Sequence, residues 1–152
     1  MDAKVRSHRV SEEEVAARLA RRGLRLTRQR KAVLDAVRAA GGHPAADEIY
    51  RRARRVLPQI SMGTVYRTLG VLREAGVVQE LHLKEAQGRY EERGHHHHHA
   101  VCTECGRIED IAAGAFEGLT TRAQAATDYQ IEDHRLEFYG ICPACRAERR
   151  KG

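Results

Sequence analysis

Val33, Leu34 and Val37 return at three- and four-residue intervals, and so do Ile49, Ala53 and Val56, then Val65, Leu69 and Leu72. That spacing puts each set on one side of a helix. The punctuation between the sets agrees. Ser11-Glu12-Glu13-Glu14 is a capping box and Gly23 a natural stop, predicting a first helix over about 11–22. Thr27 caps a second helix that Gly41-Gly42 ends, and a third begins near Pro44, tolerated in a first turn, and stops before Pro58. Ser61 caps a fourth, closed by Gly76, in which Thr64, Arg67 and Thr68 fall off the apolar stripe with Tyr66 beside them. This last helix is expected to present a polar outer face.

Past Gly76 the chain changes period. Residues 77–83 read as a strand, a polar turn ends in Gly88, and 89–91 return as a second strand. Three or four helices followed by a β-hairpin is the layout of a winged helix-turn-helix. Gly94 marks a hinge, beyond which 100–102, 107–111 and 130–141 read as strands, with an amphipathic helix around Phe116, Leu119 and Ala123. The expected class is α+β: an N-terminal winged helix over 1–92 and a C-terminal α/β module over 93–152. The second module is short and has only Phe116, Tyr129, Phe138 and Tyr139 as aromatics, so a metal is expected to brace it.

Charge sharpens this picture. Lys and Arg number 27 against 21 Asp and Glu, a formal +6, and most of the arginines lie before residue 74, among them Arg51, Arg52, Arg54 and Arg55. A basic run alone is ordinarily a solvated helix face. Its coincidence with an arginine-bearing outer face on the helix before the wing points to double-stranded DNA as partner. No signal peptide and no apolar run near the roughly 20 residues of a membrane span is apparent, which leads us to expect a cytoplasmic protein without a membrane partner.

The chemistry sits in the second half. Cys102/Cys105 and Cys142/Cys145 form two C-x-x-C pairs, which in a reducing compartment read first as a closed tetrahedral zinc site, with redox disulfides as the competing reading. His95 to His99 are five consecutive histidines, internal rather than terminal, unlike an engineered tag. On a strand, His95, His97 and His99 would face one way and His96 and His98 the other, so that two metal sites share one strand. Glu91, Glu92, Asp110 and Glu117 supply carboxylates nearby, and His43 and His134 are outlying imidazoles.

Taken together, these motifs resemble the ferric uptake regulator family, close to its peroxide-responsive branch. The resemblance runs from about Gly23 to Cys145 and rests on 23–27, 43–50, 61–67, the His run with Cys102-Thr103-Glu104-Cys105-Gly106, and 134–140 leading to Cys142. It implies a homodimer on a palindromic operator, the C-terminal module being the dimerisation domain. It implies structural Zn2+ on Cys102, Cys105, Cys142 and Cys145, and a regulatory divalent metal on His43, Glu91, His97, His99 and Asp110. A further site would take His96, His98, Glu117 and His134. DNA contacts fall to Ser61, Thr64, Tyr66 and Arg67 on the fourth helix and to Arg25. The peroxide-responsive branch carries Asp where Glu91 stands, which favours plain metal sensing, with ferrous iron the expected co-repressor and zinc, manganese or peroxide the alternatives; Glu92 competes with Glu91 as ligand. An enzyme is not expected: no cysteine is spare, and neither a phosphate loop nor an H-E-x-x-H helix occurs. Metal storage or chaperoning is the rival class, and it leaves the winged helix unexplained.

Overall fold

A computed structural model describes residues 9–82, 87–94 and 97–151, and these fall into two compact units, 9–94 and 97–151.

In the first unit four helices precede a hairpin: α1 (Glu12–Ala20), α2 (Arg28–Ala40), α3 (Ala46–Val56), α4 (Met62–Glu74), then β1 (Val78–Leu81) and β2 (Arg89–Glu92). Ser11, Thr27 and Ser61 are the N-caps of α1, α2 and α4, each side chain accepting the backbone N–H three residues on. Such a cap is worth about 1 kcal/mol. The helix expected from Pro44 starts instead at Ala46, with no side-chain cap. The turn before it is tied to the wing: Tyr90 N–H donates to the Pro44 carbonyl at 2.9 Å, and Ala45 forms a bridge with Arg89. This places His43 beside β2. The strand expected over 77–83 is β1, Leu83 lying outside the described residues, and the return strand extends to Glu92.

The apolar stripes of all four helices close on one core with the hairpin, from Val15 and Leu19 through Ile49, Leu69 and Leu72 to Val77, Val78 and Tyr90. Thr68, expected outward, is buried. It lies three residues after Val65 and four before Leu72, on their side of α4. Tyr90 donates from its hydroxyl to Glu80 at 3.2 Å, and Glu80 also accepts from Arg73 at the end of α4. Burial, with the Glu80 carboxylate beside it, pushes the Tyr90 phenol up to about 12, so it remains a donor at neutral pH.

The second unit is built on a three-stranded sheet. β3 (His97–Cys102) is central, antiparallel to β4 (Ile108–Ala112) and parallel to β5 (Glu137–Gly140). A 3-10 turn (Ala113–Phe116) and α5 (Leu119–Ala125) follow β4, and α6 (Pro143–Arg149) follows β5. One expectation is corrected here and one element is added. The strand expected over 130–141 is only the four residues of β5, because the preceding segment makes local bonds: Gln124 accepts from Ile131 N–H at 2.7 Å and donates to the Tyr129 carbonyl. Helix α6 was not expected, although Cys142 caps it and Pro143 opens it. No helix among the described residues is long and apolar enough to cross a membrane.

Candidate metal centres and nucleic-acid face

Four sulfurs meet at one end of the second unit's sheet. Cys102 closes β3, Cys105 lies in the turn after it, Cys142 caps α6 and Cys145 stands in that helix's first turn. Their Sγ atoms all lie within 4.8 Å of one another, and Cys105 and Cys142 are 3.8 Å apart. Zinc–thiolate bonds of about 2.3 Å in a tetrahedron separate sulfurs by about 3.8 Å, whereas a disulfide holds them at about 2.05 Å. The donor set fits zinc. Backbone N–H groups of Cys105 and Cys142 draw the Cys102 thiol down to about 6, while the sulfurs around Cys145 push its thiol up. Thiols this close ionise together only around a cation. Arg149 pairs with Glu104, tying α6 to the turn between Cys102 and Cys105.

The histidines of β3 divide between two faces, as strand alternation requires. His97 and His99 share one face, their ring centroids 4.8 Å apart, with Nε2 atoms 3.9 Å and 3.8 Å from Asp110 Oδ1. Asp110 arrives there because β4 pairs it with His99. His98 faces the other way, 5.2 Å from the Phe116 ring and 5.3 Å from that of His134. His134 Nδ1 bonds Thr120 Oγ1 at 2.8 Å, and its buried Nε2 has no hydrogen-bond partner among the described residues. Glu117 is exposed and does not join His98 and His134 in a three-donor cluster among the described residues. His95 and His96 lie outside the described residues.

The first unit carries a histidine–carboxylate pair of its own. His43 Nε2 stands 2.8 Å from Glu91 Oε2, both side chains buried, with Gln79 donating to the other oxygen of Glu91. Glu92 points to the opposite face of β2 and is otherwise engaged. Its Oε1 accepts from Arg38 and, at 3.1 Å, from Val10 N–H, while Arg38 also donates to the Val10 carbonyl at 2.7 Å. Of the two competing carboxylates, the one beside a histidine is Glu91.

On α4, Ser61 Oγ accepts from Thr64 N–H at 3.1 Å and lies 2.9 Å from Thr64 Oγ1, which accepts from Arg67 at 3.3 Å. Side chains three residues apart thus make one polar row, Ser61 and Arg67 exposed and Thr64 partly buried between them, with Tyr66 half exposed beside it. Arg25 is exposed in the turn before α2, where its carbonyl accepts from Arg30 and Thr27. The arginines of α3 are less free than their number suggests: Arg51 pairs with Asp47 at 3.0 Å, Arg52 with Glu48 at 3.0 Å, and Arg54 stacks over Tyr50.

Sequence reasoning missed Gln79, Arg38 and Thr120. Gln79 sits in the strand between the core residues Val78 and Leu81 and carried no signal of its own, because its partner is twelve residues away across a hairpin whose register the spacing left open.

The model of the ferric uptake regulator family matches residues 21–139. The chain is 36% identical over 136 residues to the peroxide-responsive repressor PerR of Staphylococcus epidermidis, covering 90% of this chain and 91% of that one. Among solved structures, the Campylobacter jejuni peroxide stress regulator superposes with a TM-score of 0.70 at 29% identity, covering 77% of this chain and 88% of the other. The Helicobacter pylori ferric uptake regulator does so with a TM-score of 0.74 at 24% identity, covering 91% and 95%, a likeness of fold.

Proposed function

Because the chain belongs to the ferric uptake regulator family, we propose that it is a metal-dependent transcriptional repressor that binds palindromic operator DNA as a homodimer, with ferrous iron as co-repressor. Residues 1–92 serve as the DNA-binding domain and 93–152 as the metal-binding dimerisation domain, in a cytoplasmic protein that is not an enzyme. The observation that carries this reading is that each unit holds an incomplete donor set of the same kind: His43 with Glu91 in the first, His97 and His99 with Asp110 in the second. Three imidazoles and two carboxylates suit a divalent metal of intermediate hardness such as Fe2+.

Bound there, the metal supplies a positive centre for those five ligands. His43 and Glu91 belong to the DNA-binding domain, so sharing ligands would favour one arrangement of the two domains over others. Differential affinity of this kind is what lets a co-repressor shift a population. The row Ser61–Thr64–Arg67, with Tyr66, would read base edges and phosphates, and Arg25 would reach an adjacent groove. Structural Zn2+ on Cys102, Cys105, Cys142 and Cys145 would hold the second domain together. Phe138, Tyr139 and Ile141 are exposed on and beside the edge strand β5, a surface suited to a second copy of the chain. His98 and His134 would hold a further metal with His96 and Glu117, for which Glu117 would have to turn inward.

A second reading, peroxide sensing, is favoured by the similarity to the peroxide-responsive repressor of Staphylococcus epidermidis. Glu91, standing where the peroxide-responsive branch carries Asp, speaks for plain metal sensing. Metal analysis of protein isolated from its own cells, then band shifts with each metal restored to the zinc-loaded protein, tests both. Fe2+ should raise operator affinity and hydrogen peroxide should leave the iron form bound to DNA. If no metal raises DNA affinity, the proposal is wrong; if peroxide releases the iron form, the second reading replaces the first.

A further inference from the structure

We propose that Gln79 is a positioning residue for the regulatory metal: its side-chain amide holds Oε1 of Glu91, leaving Oε2 as the oxygen presented beside His43. The inference rests on the regulatory-site reading above. Gln79 on β1 lies directly across from Glu91 on β2, with Val78↔Glu92 and Glu80↔Tyr90 pairing on either side. Its Nε2 donates to Glu91 Oε1, while Glu91 Oε2 is 2.8 Å from His43 Nε2. An ionised carboxylate only accepts, so the amide must show it the NH2 group. Glu91 is 7% exposed, and a buried carboxylate needs partners for its lone pairs. The amide therefore meets one oxygen and stops the carboxylate from turning.

Two consequences follow for a metal bound through Glu91. The ligand is oriented before binding, which raises affinity; loss of such supporting groups costs ~10–100-fold. With Oε1 engaged, Glu91 offers one oxygen rather than two. That disfavours hard ions that gather many oxygens relative to ions content with imidazoles and single oxygens. Gln79 thus biases the site away from Mn2+.

The test uses full-length protein with its cysteine site loaded with zinc, titrated with Co2+ and with Mn2+ against a competing chelator. The variants are Gln79→Met, of similar length without a donor, and Gln79→Thr, a good strand former too short to reach, with His43→Ala alongside. Both Gln79 variants should keep their zinc and lose ~10–100-fold in Co2+ affinity. They should also change the Co2+ visible spectrum and lose less affinity for Mn2+ than for Co2+. Wild-type affinity and spectrum in both Gln79 variants, with Co2+ binding weakened in His43→Ala, would overturn the inference alone. Lowered affinity with an unchanged spectrum and metal preference would overturn the positioning role. If His43→Ala also binds Co2+ like the wild type, the regulatory-site reading itself fails and takes this inference with it.

Discussion

The two units solve the same problem of small size by different means. In the first, four helices and a hairpin bury a continuous apolar cluster, with Leu19, Ile49, Leu69 and Leu72 almost wholly enclosed. In the second, the buried apolar residues among those described are Val101, Cys102 and Cys145, and His98 and His99 are buried with them. Its interior is made largely of donor atoms. A unit held by apolar area keeps its shape whatever ions are present, whereas one held by ligands is as stable as its metal is available. A metal sensor can use both, one half as a fixed reader and the other as the part whose state depends on metal.

The largest expected effect follows from that contrast. Cys102→Ser removes one of the four sulfurs of the proposed zinc site, and structural zinc contributes on the order of 10–16 kcal/mol in small zinc modules. The variant should lose its zinc, and hydrogen exchange across 97–151 should become fast while α2 and α4 stay protected. A zinc-free variant with a protected second unit would break the comparison. The mirror experiment is Leu69→Ala, expected to cost ~2–5 kcal/mol by leaving a cavity beside Val65 and Leu72. Denaturant unfolding followed with a zinc indicator should show the first unit melting early and the zinc unchanged. Early zinc release would mean that the units are not independent in stability. The smallest effect belongs to Arg51→Ala, which removes an exposed pair with Asp47 worth ~0.3–0.5 kcal/mol. The folded protein should be hardly destabilised, and its DNA affinity, if α3 lies near phosphates, should fall alike for all sequences with a shallower salt slope.

Much of the first unit was legible because its signals are local. Ser11, Thr27 and Ser61 act on N–H groups three residues away, and the apolar stripes need only a helix's own period. The second unit was harder. Whether 130–136 pairs as strand depends on the length of its parallel neighbour β3 and on Gln124, which bonds the segment instead. Helix α6 is short, and the cysteines that frame it drew attention to zinc rather than to the Cys142 cap.

The candidate sites divide in the same way. Two C-x-x-C pairs announce a four-sulfur cluster by spacing alone, and alternation on β3 separates His98 from His97 and His99. The choice between Glu91 and Glu92 was not legible. They are neighbours on a strand, and only the register of β1 against β2 and the Arg38–Val10 contacts reveal which one is already occupied. Contacts made across tens of residues leave no trace in local spacing.

The central claim is that metal couples the DNA-binding domain to the metal-binding domain through His43. Linkage offers the most direct measurement: the affinity of Fe2+, under anaerobic conditions, for wild type and His43→Ala, each with and without operator DNA selected from random duplexes. In the wild type, DNA should tighten iron binding by the same factor by which iron tightens DNA binding, since the coupling is reciprocal. In His43→Ala the zinc and the apo fold should be retained, and both factors should fall to about one. A His43→Ala protein whose DNA affinity still rises with Fe2+ as in the wild type would contradict the account.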